Sequence, residues 1–169
     1  MNNANVEIER KYVILKPMFS EMTDEGEVEI SEIDQTYLCS VKGETRRVRK
    51  RAYTDRVVYT ETVKRRIDNM SSYEDEREIT EAEYDRLLSE KASGTVTLTK
   101  TRYALLYRGA TFEIDIYPEW KYTCILETEL ESRDDKPEFP PAIKIICEVT
   151  GDKKYTNAAM SHSFPPELV

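Results

Sequence analysis

Residues 5–15 read NVEIERKYVIL, and the fold class turns on that stretch. Val6 and Ile8 alternate with Glu7, Glu9 and Lys11, which is the period of a β-strand carrying one apolar and one charged face. In a strand, residues two apart project from the same face, about 6.6–7 Å from each other. Measured by that spacing, the charges of the whole chain fall into sets. Arg47, Arg49 and Arg51 share a face, as do Lys64 and Arg66 with Thr60 and Thr62. Glu74, Glu76 and Glu78 form a third set, Lys100 with Arg102 a fourth, Glu113 with Asp115 a fifth, and Glu127, Glu129 and Glu131 a sixth. The opposite face of most of these segments carries Val, Ile, Leu, Tyr or Phe.

Around residues 5–15 the rest reads as mostly β. Strands are expected at 33–41, 45–52, 56–66, 72–79, 95–107, 110–117 and 123–131, where Val, Tyr and Thr are strand formers. Residues 16–32, with Pro17, Gly26 and many acids, read as a loop or irregular insertion. Lys42-Gly43-Glu44 and Arg108-Gly109 read as turns, and Pro118-Glu119-Trp120 as a break. Thr80, with Glu83 three residues on, predicts the N-cap of a helix running to about Lys91, closed by Gly94. Residues 134–141 are a loop, 143–149 a short apolar run, and Asp152 is placed to cap a last short helix through Met160. About eight strands with short connections favour antiparallel pairing, hence a mainly β (α+β) fold. No internal repeat or second domain is visible over residues 1–169.

Composition narrows the function. Hydrophobic residues at 39% allow a core, and charged residues at 34% exceed the usual quarter, so the charge needs somewhere specific to go. The net charge of −8 argues against a general nucleic-acid binder. No apolar run approaches the roughly 18 residues of a membrane span. The opening MNNANVEIERK has no apolar core of a secretory signal. Cys39, Cys124 and Cys147 stand far apart and are odd in number, which excludes a disulfide framework and points to a reduced, cytoplasmic setting. With one histidine, His162, chemistry built on a histidine cluster is not expected.

For any one strand, a charged face is simply a solvated face. Taken together the strands resist that reading, because like charges two residues apart repel along each strand unless an opposite partner meets them. A closed barrel would bring acidic and basic strands together across one interior. Carboxylates from separate strands can hold Mg2+ or Mn2+ with water and phosphate oxygens, while Lys and Arg grip the phosphates. A polyphosphate with its metal satisfies both sets. No Gly-rich phosphate loop is present, so side chains would have to do the binding.

The series Glu7-Ile8-Glu9-Arg10-Lys11, Gln35-Thr36-Tyr37-Leu38, Arg47-Val48-Arg49, Thr62-Val63-Lys64, Glu76-Arg77-Glu78, Lys100-Thr101-Arg102-Tyr103, Glu127-Thr128-Glu129 and Glu148-Val149-Thr150-Gly151-Asp152 resembles, in order, the motifs of the CYTH, or triphosphate tunnel metalloenzyme, superfamily, most closely its short bacterial members. The resemblance covers about residues 5–160. It implies an eight-stranded antiparallel β-barrel forming a tunnel, and metal-dependent chemistry on triphosphates. It further implies that Glu7 and Glu9 bind metal with Glu129 and Glu127, and that Lys11, Arg47, Arg49, Lys64, Lys100 and Arg102 bind the triphosphate. Glu7, Glu9, Lys11 and Glu129 would be the catalytic set. Glu76, Glu78 and Asp115 would hold a second metal or fix the basic side chains. The segment 152–160 would close one end of the tunnel, with Lys153 reaching inward. The segment 118–126 lacks the Gly-Leu turn of the family, which leaves the register of the last acidic strand open.

On that basis the expected activity is hydrolysis of a triphosphate, foremost inorganic tripolyphosphate to pyrophosphate and phosphate. A class IV type of adenylate cyclase, making cyclic AMP from ATP, would use the same interior with a different mouth. A metal-polyphosphate binding module without turnover is the third reading. The expected partners are a small triphosphate and, if apolar outer faces stay exposed, a second copy in a homodimer.

Overall fold

The computed structural model describes residues 5–169; residues 1–4, part of the opening stretch weighed above as a signal, lie outside them. The elements in chain order are β1 (Asn5–Leu15), α1 (Phe19–Glu25), β2 (Glu27–Leu38), β3 (Glu44–Ala52), β4 (Val57–Arg66), β5 (Ser71–Ile79), α2 (Glu81–Leu87), β6 (Leu98–Tyr107), β7 (Ala110–Ile116), β8 (Thr123–Glu129), β9 (Ile145–Glu148) and α3 (Asn157–Met160). Short 3-10 turns at Leu88–Glu90 and Lys153–Tyr155 follow α2 and precede α3.

The strands form one antiparallel sheet in the order β5-β4-β3-β2-β6-β7-β8-β1-β9, and β5 also pairs with β1. That last pairing closes an eight-stranded barrel, with Val6 opposite Tyr73 and Ile8 opposite Ser71. β1 can do this because it is long. One of its edges holds β8 from Glu9 to Leu15; the other holds β5 at residues 5–8 and then β9 at 12–14, with a bulge between Val13 and Ile14. The run 143–149 is thus a ninth strand outside the barrel. Closure removes the exposed edges that an open sheet of charged strands would carry.

The outward faces are covered in two places. Met22 of α1 is fully buried against Tyr12, Ile14, Phe112, Ile114 and Leu126, with Phe139 and Ile143 of the following loop packed alongside. On the far side Tyr84 and Leu87 of α2 cover Leu38, Val48 and Ile79. The Thr80 hydroxyl accepts the Glu83 N–H, as its capping pattern predicts.

The stretch 16–32 corrects the reading from sequence. It holds α1 and the first half of β2 in place of a loop. α1 is only seven residues long and is anchored chiefly by Met22, so its local signal is slight. The acid-rich start of β2 is held by a long-range ladder with β6, from Glu27 opposite Leu106 to Gln35 opposite Leu98. Gly26 joins the two because a Cβ there would stand 2.1 Å from the Leu106 carbonyl oxygen. The last helix is also shorter than 152–160, being a 3-10 turn and a single turn of α-helix.

One end of the barrel is filled. Val13, Tyr37, Leu98 and Ile125 point inward there, with Tyr117 just past β7, and they pack against Val149, Tyr155, Met160 and Trp120. The tail locks this plug: the Glu167 carboxylate accepts the backbone N–H groups of Lys121, Tyr122 and Thr123, and the Trp120 indole donates to the Pro165 carbonyl at 3.1 Å. Glu167 thereby organises the β7–β8 connection that lacks a Gly-Leu turn, and the register of β8 puts Glu129 opposite Glu9 and Glu127 opposite Lys11.

Candidate active site

Strand alternation turns the charged faces inward, because the apolar faces are taken by the outer cover. Above the plug the interior is therefore polar, and it divides into an acidic and a basic region.

The acidic region is built on β1, β5 and β8. The Lys64 Nζ lies 3.2 Å from Glu74 Oε2, 3.7 Å from Glu9 Oε1 and 3.9 Å from Glu7 Oε2. Three carboxylates thus converge on one ammonium, and Glu74 is further held by Arg47 Nη2 at 3.1 Å. Burial, a hydrogen bond with Glu74 and the repulsion of that carboxylate push the Glu7 carboxyl up to about 8. Burial, then the Glu127 charge, raise Glu9 as well. Glu129 stands directly across from Glu9 and is exposed. Deeper in, Lys11 Nζ bonds Glu127 Oε1 at 2.8 Å and donates to the Tyr155 carbonyl of the plug at 3.2 Å. Burial works against the Glu127 charge, but Lys11, Arg102 and Lys100 outweigh it and hold that carboxyl at about 2.

The basic region is built on β3, β6 and β7. Asp115 is fully buried and accepts from Lys100 Nζ at 2.5 Å and from Arg102 Nε and Nη2 at 2.6 and 2.8 Å. Those two cations hold its carboxyl well below the ordinary range against the pull of burial. Arg102 also reaches Glu113 and, at 3.8 Å, Glu127. Burial, with Arg102 and Arg49 nearby, pushes the Lys100 ammonium down to about 7. Arg49 donates from Nε and Nη2 to Gln35 Oε1 at 3.3 and 3.1 Å, and Arg51 donates to Ser31 Oγ at 2.9 Å. The buried Nε of Arg47 has no hydrogen-bond partner.

The structure therefore gathers Glu7, Glu9, Lys11, Arg47, Arg49, Lys64, Lys100, Arg102, Asp115 and Glu127 in one interior. Glu76 accepts from Thr62 Oγ1 at 2.8 Å, and both Glu76 and Glu78 are exposed. Lys153 is exposed on the 3-10 turn, and the side chains that fill the barrel end are Tyr155 and Met160. Sequence reasoning passed over Glu74, Glu113 and Gln35 as site residues. Glu74 and Glu113 lead the period-two sets of their own strands, which was their signal; Gln35 opens one of the segments that carry the resemblance, but no role was attached to it.

The surplus of hard oxygen donors around Lys64 suits a divalent cation. Among the described residues no three acidic, histidine or cysteine side chains are close enough to hold a metal by themselves. That is compatible with a magnesium-like ion, which keeps several waters and takes one or two carboxylates together with phosphate oxygens.

No protein-family model and no curated protein matches the chain. Solved structures do. The inorganic triphosphatase NE1496 aligns with a TM-score of 0.59 at 27% identity, over 95% of this chain and 97% of its own. The PH1819 protein of Pyrococcus horikoshii OT3 gives 0.59 at 21% identity over 76% and 80%. A putative adenylate cyclase of Vibrio parahaemolyticus gives 0.52 at 10% identity over 75% and 79%, a likeness of fold alone. Closed barrel, order of motifs and near full-length likeness to NE1496 agree, and together they support the resemblance to the CYTH, or triphosphate tunnel metalloenzyme, superfamily.

Proposed function

We propose that this protein hydrolyses a triphosphate, foremost inorganic tripolyphosphate, to pyrophosphate and phosphate with a divalent metal. The observation that carries the reading is the opposition, inside one plugged barrel, of cations poised for phosphate to a surplus of carboxylates. The likeness to NE1496, named an inorganic triphosphatase, supports it.

The residues divide the work by charge. Arg47, Arg49 and Arg102 suit bidentate contacts with phosphate oxygens, and Lys11, Lys64 and Lys100 add point charge. Asp115 keeps Lys100 and Arg102 aimed, which lowers the reorganisation needed when charge develops on the transferred phosphoryl group. Glu7, Glu9 and Glu129, with Glu127 behind them, would hold Mg2+ or Mn2+, which would polarise phosphate oxygens and acidify a bound water. Arrival of substrate gives Lys64 new anionic partners and loosens its hold on the three carboxylates. The plug leaves a substrate to enter from the opposite end, so a bulky group on the triphosphate would have to remain at that mouth. A compact inorganic triphosphate meets no such constraint.

The test is phosphate release from tripolyphosphate and from ATP, with Mg2+, with Mn2+ and with chelator, scoring cyclic AMP in the ATP reaction. Metal-dependent phosphate from tripolyphosphate exceeding that from ATP is expected. Cyclic AMP with pyrophosphate as the main products would overturn the reading. So would tight tripolyphosphate binding without turnover.

A further inference from the structure

Gln35 and Arg49 face each other as partners on the β2–β3 ladder, both on the inward face. Gln35 is fully buried. Its Nε2 donates to the Tyr37 hydroxyl at 3.1 Å, which turns the amide so that Oε1 accepts both the Nε and the Nη2 of Arg49. Five other inward cations are held by carboxylates: Lys11 by Glu127, Arg47 by Glu74, Lys64 by Glu74 with Glu7 and Glu9 nearby, and Lys100 and Arg102 by Asp115. Arg51 donates to the Ser31 hydroxyl. Arg49 is held by a neutral amide. A carboxylate in that place would hold the guanidinium equally well but cancel its charge and repel an incoming anion.

We infer that Gln35 is a positioning residue for the triphosphate reaction: it aims Arg49 into the barrel while leaving its charge uncancelled for the polyphosphate. The electrostatics agree. Burial, together with Arg47 and Arg102, pushes the Arg49 guanidinium down to about 9, so the group gains from an arriving anion. With its neutral partner, Arg49 can meet substrate charge without first displacing a protein carboxylate. This inference rests on the triphosphatase reading.

The experiment compares wild type with Gln35→Glu, Gln35→Met and Gln35→Ala, each checked for fold by circular dichroism. It measures kcat and KM for tripolyphosphate and its Kd in chelator. Gln35→Glu should raise KM and Kd together by about 10- to 100-fold with a smaller change in kcat. Its affinity should recover as the pH is lowered and the new carboxyl protonates, a reversal that a merely structural defect would not show. Gln35→Met, which keeps the volume and loses the acceptor, should give a smaller rise, about 3- to 10-fold. Gln35→Ala serves if the bulkier variants do not fold. Gln35→Glu should add little in an Arg49→Ala background. An active wild type with Gln35→Glu unchanged, or a loss independent of pH, overturns the role of Gln35 alone. A wild type that neither hydrolyses nor binds tripolyphosphate overturns the triphosphatase reading, and the role of Gln35 with it.

Discussion

Glu9 and Glu129 occupy one rung of the β1–β8 ladder, two acids directly opposed. Like charges so placed destabilise a sheet. Burial first, and then the charge of Glu127 two rungs deeper, raise the Glu9 carboxyl. An arrangement that costs stability at this point fits the proposed metal site, in which the two strands would receive a cation together.

Glu9→Gln should separate stability from activity. It removes part of the repulsion, so the melting temperature should stay level or rise. Metal-dependent turnover should fall by more than ~100-fold, since a neutral amide is a poor ligand for a hard cation. Thermal melts and phosphate release on the same preparation decide it; near wild-type turnover would remove Glu9 from the site.

Asp115→Ala should do the reverse and strike the fold. Asp115 and Lys100 are both fully buried, and Arg102 leans on the same carboxylate. Removing one partner of a buried ion pair costs about 3–5 kcal/mol, because the cations left behind stay desolvated. Urea denaturation should show a loss of that order, and a loss below about 1 kcal/mol would mean that the interior is wetter than its geometry indicates.

The barrel was legible because alternation is local: in β1, β3 and β5 the charged residues recur at every second position, and no partner is needed to see it. The start of β2 was hidden because Glu27, Glu29 and Glu32 look like loop acids until β6 lies beside them. The site was legible as a set of charges and illegible as a set of pairs. Whether Lys64 meets Glu74 or Glu76 depends on the β4–β5 register, in which Lys64 stands opposite Glu74 and Thr62 opposite Glu76. Gln35, quoted only as part of a matching segment, received no role because that role depends on being neutral, and charge patterning cannot show that.

Glu167 makes a pH prediction. Burial alone would raise it, but donation from the Tyr122, Lys121 and Thr123 backbone holds its carboxyl at about 2, against an ordinary value of 4.5. A carboxyl lowered in the folded state contributes stability above its unfolded value and loses it as pH falls through the folded one. The wild type should therefore lose the clamp between about pH 4.5 and about pH 2. Glu167→Gln should melt earlier at pH 7, and the difference should narrow across that window. Parallel melting curves at all pH values would show that the clamp carries no charge.

Met160→Ala tests whether the plug serves the site as well as the fold. Met160 is 1% exposed and packs with Tyr155 and Val149 against the inward apolar ring of the barrel. Truncation should cost about 2–5 kcal/mol through the lost contacts and the cavity left behind, whereas Met160→Leu, close in volume, should cost less than ~1.5 kcal/mol. The plug also touches the proposed site, because the Tyr155 carbonyl accepts from Lys11 Nζ, the same ammonium that pairs with Glu127. A loosened plug should therefore lower tripolyphosphate turnover well below the midpoint of unfolding, by about 10-fold, since small misplacements in a site are expensive. Met160→Leu should retain turnover. If Met160→Ala keeps full turnover at low temperature while losing stability, the plug is only a lid on the core, and Lys11 is positioned by Glu127 alone.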